Sequence, residues 1–328
     1  MRLVTRLFLV VLVLLLAGVA WLMRPLAPVE MPPYRVTDSY EDGVARLFEF
    51  LARDTMALHP GCGTTALLTG ARSPRAFVLL HGITNCPLQF MALAESLRAG
   101  GDNVLVPRMD HHGLADRMTT DLENVRAEET VALVSECAGI GRGLGDTLVV
   151  CGLSTTGVAA SWAAVNLEGL DRVVVIAPAF APPWKPGWIM PVLTRFALHI
   201  PNQFVWWDDE AKENLGGPVQ CYPRFSTRAM GETYRLGEQV LSALAKRAPR
   251  ARELAVVTTG YDDAVSNEPT RKLAERFRAA GVPVREHDFA ARDSVEHDMV
   301  DPLQVGARID RSYPVLLAML RGQALPTP

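Results

Sequence analysis

The chain has 328 residues, 49% of them apolar and 21% charged, and its formal net charge is -3. This is enough apolar material for a large core, and one elaborated α/β domain suits the length better than two separate ones. The balance of charge, with no Lys/Arg cluster and no aromatic-basic interleaving, excludes the electrostatic footprint of a nucleic-acid binder.

The first element is unlike the rest. Arg2 and Arg6 precede an uninterrupted apolar run from Leu7 to Met23, which ends at Arg24-Pro25. A bilayer span takes about 17–25 such residues, so the run fits a transmembrane anchor and exceeds many signal-peptide cores. Gly18-Val19-Ala20 offers a cleavage site, but Trp21 and Arg24 suit interfacial anchors, and an uncleaved anchor is preferred to a removed signal. Two arginines before the run against one after it place the main domain outside the cytoplasm, and cleavage would make it secreted. No polar face interrupts the run, which argues against a buried core helix. The expected organisation is an anchor or signal segment over 1–24, a proline-rich linker over 25–38 and a folded domain over 39–328.

Val44, Leu47, Phe48, Leu51 and Met56 have helical spacing, which predicts an amphipathic helix over 39–58 capped near Asp38 or Ser39. Strand-like runs follow at 76–81, 103–107, 147–151, 172–177, 253–260 and 284–289. Helical patterns occupy 89–98, 118–140, 155–167 and 268–280 between them. Short apolar strands alternating with helices predict a mostly parallel, doubly wound sheet covered on both faces. The alternation fails over 178–228, which carries Trp184, Trp188, Trp206 and Trp207 among several prolines. An insertion of that length at the carboxyl edge of a sheet reads as a lid, most of its tryptophans packing it in place.

Five cysteines leave at least one unpaired. Cys151 falls in a core strand and Cys137 on a helix, where free thiols act as small apolar groups. Cys62 and Cys86 lie in loops flanking the segments 64–69 and 76–81. If those segments pair as neighbouring strands, a Cys62–Cys86 disulfide becomes feasible outside the cytoplasm, with Cys221 a rival partner.

Chemistry concentrates at four places. The apolar strand 147–153 breaks at Ser154 into a helical stretch, which lifts a hydroxyl onto a tight turn with helix-opening amides beside it. A serine needs a base, and His297, in a loop after the last strand, fits better than His287, whose direction the pleat fixes. Gly260-Tyr-Asp-Asp-Ala-Val265 offers the orienting carboxylate. Asp263 is preferred, and Asp262 stays open because spacing cannot rank adjacent turn residues. Oxyanion donors would be the amides of Thr155 and of Ile83, which follows His81-Gly82. His81 reads as a histidine that holds its loop, and His111-His112 lacks the spacing of a metal site. At the serine turn, Gly152 is the small residue expected on one side. Thr156 stands where a glycine is usual on the other, and its branched side chain should crowd the turn.

These segments resemble the α/β-hydrolase superfamily, and within it the carboxylesterase and monoacylglycerol-lipase-like serine hydrolases. The resemblance rests on Val78-Leu-Leu-His-Gly-Ile-Thr84, Pro107-Arg-Met-Asp-His-His-Gly113, Gly152-Leu-Ser-Thr-Thr-Gly157, Asp263-Ala-Val265 and His297-Asp298, spanning about residues 60–320. It implies an α/β-hydrolase fold, a Ser154–Asp263–His297 triad, an oxyanion hole from Ile83 and Thr155, and no cofactor or metal. The expected activity is hydrolysis of lipophilic or acyl carboxylic esters through an acyl-enzyme. Thr156 keeps open the alternative of an inactive, membrane-tethered scaffold.

Overall fold

The computed structural model describes residues 2–183, 187–215 and 217–326. In chain order the elements are α1 (Arg2–Leu22), α2 (Tyr40–Leu51), β1 (Thr65–Leu67), β2 (Ser73–Leu80), α3 (Met91–Ala99), β3 (Asn103–Val106), α4 (Ala127–Leu144), β4 (Gly145–Leu153), α5 (Thr155–Asn166) and β5 (Arg172–Ile176). After β5 come α6 (Met190–His199), β6 (Phe204–Trp206), α7 (Ala211–Asn214), β7 (Arg224–Ser226) and α8 (Thr227–Leu244). The chain ends with β8 (Leu254–Thr259), α9 (Glu268–Ala279), β9 (Val284–Phe289) and α10 (Ile309–Arg321).

Seven strands form one sheet in the order β1-β3-β2-β4-β5-β8-β9, and β6 pairs with β7 apart from it. Every pairing in the large sheet is parallel except β1 with β3. The central strands read as unbroken Val, Leu and Ile because both faces are covered. One face packs Val78, Val150 and Val175 under α4, α5, α8 and α9. The other packs Phe77, Leu79, Cys151 and Val174 under α3 and α10. Nearly all of α5 is buried, so this helix is apolar all round. At the edge, β9 carries Arg285, Glu286, His287 and Asp288, charges that discourage further strand addition.

The register sets the site. Leu80 of β2 pairs with Gly152 of β4, and Leu153 of β4 pairs with Ile176 of β5. The loops after these strands therefore leave the sheet at one level, and β8 and β9 end together at Thr259 and Phe289.

Several expectations change. The strand at 65–67 pairs with β3, not with β2. The Cys62–Cys86 disulfide forms nonetheless, with Cα atoms 5.2 Å apart, because the loops containing both cysteines pack around Gly113. The helix expected from 118 begins only at 127, after a 3-10 turn at Asp121–Asn124 and a cap in which the Arg126 amide donates to Glu129 Oε2 at 3.2 Å. Helix α8 was not expected. It starts where Ser226 Oγ accepts from the Ala229 amide, and it supplies the crossover that β5 and β8 require. The proline-rich stretch before α2 makes contacts with the body. Val29 N donates to Gln239 Oε1, and Thr37 Oγ1 donates to Gly139 O. Trp184 lies outside the described residues.

Helix α1 is long and apolar enough to cross a bilayer, and none of its candidate span Val4–Leu22 is buried in the body. Its end meets α6: the Trp21 ring lies edge-on to His199 at 4.8 Å, and Arg195 Nε donates to Arg24 O at 3.2 Å.

Candidate active site

Ser154 stands between β4 and α5 with φ 58° and ψ -117°, a conformation that L-residues rarely hold without enforcement. The surroundings supply it: the Ser154 amide donates to Ile176 O at 2.9 Å, and its carbonyl accepts from Ala179 N at 2.9 Å. The turn is too tight for side chains on either flank. A Cβ on Gly152 would lie 2.2 Å from Thr156 O, and one on Gly157 would lie 2.9 Å from Pro178 Cβ.

Thr156, expected to crowd the turn, braces it instead. Its hydroxyl accepts from Leu153 N at 3.1 Å and has Leu80 O at 2.7 Å and Leu153 O at 2.9 Å as acceptors for its one proton. The branched side chain fits because its polar atom bridges the ends of β2 and β4.

Ile83 and Thr155 lie on either side of this turn, and neither amide donates to another group among the described residues. His81 is wholly buried; its Nδ1–H donates to Gly82 O at 3.0 Å and its Nε2 accepts from Met109 N at 3.1 Å, which ties two loops together. Thr84 adopts φ 67° and is gripped by the insertion. Trp207 Nε1 donates to its hydroxyl at 2.9 Å, and Tyr222 N to its carbonyl at 2.7 Å. Trp207 is thus held by this bond and by its ring contact with Phe225 although about half of it stays exposed, and Trp188 is more exposed still.

His297 lies in the loop after β9, and its carboxylate partner corrects the expectation. Asp262 Oδ2 is 2.9 Å from His297 Nδ1, and Asp262 Oδ1 accepts the amides of Ala264 and Val265, each at 2.9 Å. Asp263, the preferred candidate, makes no such bond with His297. The turn after β8 aims the first of the two side chains inward, where the following amides fix it. Burial alone would lower the His297 pKa, but the bond to Asp262 and the charges of Asp262, Asp298 and Asp263 carry it above its ordinary value. His287 sits on β9 with its ring against Phe289, away from this pair.

Gln89 was not anticipated. It is buried, accepts the Gly82 amide on Oε1 at 2.8 Å, and donates from Nε2 to Asp298 Oδ2 at 2.7 Å. One amide side chain therefore joins the loop beside Ser154 to the residue after His297. A Cβ on Gly82 would lie 3.6 Å from Ser154 Cβ and 3.7 Å from Gln89 Oε1, so serine, loop and clamp are in contact range. Ser154 Oγ itself has no hydrogen-bond partner among the described residues. The only signal for Gln89 in the sequence was a polar residue at the start of the helical pattern 89–98, followed by the apolar Phe90, Met91, Ala92, Leu93 and Ala94.

His111 and His112 diverge. His111 Nδ1 meets Asp121 at 3.0 Å, whereas His112 Nδ1 meets Asp110 O at 2.7 Å. A narrow cavity opens beside the two unbonded amides, lined by Ile83, Thr155, Met109, His112 and, from α8, Glu232 and Leu236.

A sequence-family model described as an alpha/beta hydrolase family matches residues 77–304. A comparison with curated proteins returned no match. Among solved structures, one from a study of the metagenome-derived lipolytic enzymes LipS and LipT superposes with a TM-score of 0.59 at 20% identity, covering 81% of this chain and 100% of that one. The monoacylglycerol lipase of Paleococcus ferrophilus gives 0.52 at 16% identity, with 74% and 93% covered. A soluble variant of monoglyceride lipase from Saccharomyces cerevisiae gives 0.52 at 14% identity, with 77% and 88% covered. At these identities the likeness is one of fold.

Proposed function

The chain belongs to the alpha/beta hydrolase family, and on that premise we propose that it is a serine hydrolase cleaving carboxylic esters through an acyl-enzyme on Ser154. The observation that carries this reading is the 2.9 Å bond between Asp262 and His297, in a loop that Gln89 ties through Asp298 to the Gly82 loop beside Ser154. An ionised carboxylate can only accept, so the imidazole proton sits on Nδ1 and Nε2 is left as the base.

His297 Nε2 takes the proton of Ser154 Oγ as the oxygen attacks the ester carbonyl. The amides of Ile83 and Thr155 receive the developing negative charge. Asp262 keeps the tautomer and steadies the imidazolium, which then protonates the leaving alcohol. Water, deprotonated by the same nitrogen, opens the acyl-enzyme and releases the acid. In this reading the serine–histidine hydrogen bond, which is not made among the described residues, forms when substrate fills the site.

The segment 178–228 acts as the lid in this reading, and α1 as a membrane anchor with the catalytic domain outside the cytoplasm. The disulfide suits an oxidising compartment. Trp188, in the turn before α6, and Val192 and Phe196 on that helix are exposed at intervals of four, and α6 meets the end of α1. An apolar surface so placed favours a lipophilic ester as substrate.

A fluorophosphonate probe tests nucleophile, base and oxyanion donors together. Labelling that disappears in Ser154→Ala supports the reading. A folded protein that stays unlabelled supports an inactive tethered scaffold instead.

A further inference from the structure

The loop that carries the Ile83 amide is fixed at both ends by the body of the protein. Gly82 N donates to Gln89 Oε1 at 2.8 Å, the His81 ring joins the loop to Met109 N, and Cys86 is tied to Cys62 by the disulfide. Its middle is held from elsewhere. Thr84 is β-branched and sits at φ 67°, a conformation such residues leave unless their surroundings enforce it. Among the described residues both hydrogen bonds of Thr84 go to the insertion, one from Trp207 Nε1 to its hydroxyl at 2.9 Å and one from Tyr222 N to its carbonyl at 2.7 Å.

The two grips belong to one piece of structure. Trp207 directly follows β6 and Tyr222 lies just before β7; the two strands pair antiparallel, and Trp207 N continues the pairing by donating to Pro223 O at 3.1 Å. The Trp207 ring lies 4.4 Å from that of Phe225. This piece is itself moored to the body, because the Tyr222 hydroxyl accepts from Leu114 N at 2.8 Å and donates to His111 O at 3.2 Å. The Ile83 side chain is buried with Leu122, Val125, Tyr222 and Ala229, in a small core apart from the two that cover the sheet. The conformation at Ile83 and Thr84 is therefore shaped from the side of the insertion.

Resting on the ester-hydrolase reading, we propose that Trp207 is a positioning residue for the oxyanion hole: its bond to Thr84 holds the loop in the conformation that presents the Ile83 amide to the developing charge. Gly82 and Cys86 are fixed, so a relaxation of Thr84 towards negative φ has to be absorbed by the peptides between them. One of these, the Gly82–Ile83 peptide, carries the donor. A displaced donor weakens stabilisation of the transition state far more than binding of the ester. The insertion then completes the catalytic centre as well as covering it, and the β6–β7 pair is the part that does so.

The test compares the full-length wild type, Trp207→Phe, Thr84→Val and the double variant in detergent, with p-nitrophenyl butyrate as substrate and propyl trifluoromethyl ketone as inhibitor. Ser154 Oγ adds to the carbonyl carbon of the ketone and leaves an oxyanion where that of the ester would form, so the Ki reads the hole directly. Phenylalanine keeps a ring against Phe225 but cannot donate, and valine keeps the shape of Thr84 but has no acceptor. Each single variant should lower kcat and raise Ki by roughly fivefold to tenfold, the worth of one hydrogen bond, with KM little changed. Thr84→Ser, which keeps the hydroxyl, should stay close to wild type. The double variant should lose no more than either single one, because both remove the same bond. Wild-type kcat and Ki in Trp207→Phe overturn the proposal and leave the esterase reading standing, as does a double variant in which the two losses multiply. Should one variant fail to fold, the other decides through kcat and Ki against KM. No turnover of the ester by wild type, with Ser154 unlabelled by fluorophosphonate, removes both readings.

Discussion

Asp262 Oδ2 lies 2.9 Å from His297 Nδ1, while Oδ1 of the same carboxylate accepts the Ala264 and Val265 amides. The carboxylate is therefore fixed by backbone on one side and holds the imidazole with the other. Asp262→Asn keeps the shape but offers a donor on one edge, which favours the wrong tautomer. Its kcat should fall by roughly 10³- to 10⁴-fold, whereas Asp263→Asn should stay within about threefold of wild type. Steady-state hydrolysis by the two variants checks this, and equal losses would reject the assignment.

The pH dependence follows from the raised His297 pKa. The base must be neutral to act, so kcat/KM should rise with pH through a midpoint above that of an ordinary histidine. Asp298 contributes to this elevation as a nearby negative charge; burial raises its own pKa, while Gln89 and Gln304 donate to its charged form. Asp298→Asn should move the acid limb to lower pH. A limb that stays in place, or moves up, contradicts the electrostatic account.

Gln89 acts through others, as a positioning residue. Gln89→Leu removes both the acceptor for Gly82 N and the donor to Asp298, and should lower kcat by roughly tenfold with little change in KM. Gln89→Glu keeps the acceptor but sets a carboxylate against Asp298, and should raise the acid limb by adding negative charge near His297. A loss confined to thermal stability, with kcat and the pH profile intact, would mean a purely structural role.

Asp301 is buried among groups that only partly compensate it, and burial with the nearby Asp298 charge raises its pKa to about 6. The folded state then holds a proton that the unfolded state has released. Stability at this residue is lost as pH rises from the unfolded pKa towards 6, and the penalty persists above it. Asp301→Asn should raise the unfolding midpoint at pH 8 more than at pH 4. Gln220, whose Oε1 has no partner, can turn that oxygen towards the new amide. Thermal melts at the two pH values are the check.

The Cys62–Cys86 disulfide closes a loop with a sequence separation of 24 that contains β1, β2 and the turn carrying Ile83. Its reduction, or Cys62→Ser, should cost about 3 kcal/mol of stability. Denaturant melts with and without reductant measure it. Cys137 and Cys151 are buried, with thiol pKa values raised by burial, and should not react with alkylating reagents in the folded protein.

The sequence by itself determined the strands of the large sheet and many of the helices of this protein, but not the β6–β7 pair, because apolar runs, periodicity and turn residues are local properties. The parallel sheet, the Ser154 turn, the loops bearing His81 and His297, and the apolar first helix were legible for that reason. Tertiary structure alone decided which of two adjacent aspartates meets His297, since a turn's direction depends on what its backbone amides bond. It also made Thr156 a brace rather than an obstacle, paired β1 with β3, and set Gln89 against Asp298, 209 positions further along the chain. Helix α8 escaped the sequence because the disrupted pattern before it masked its start. Only its packing against α5 and α6 shows why it is there. Each of these depends on contacts between distant segments, and no periodicity along the chain records such contacts.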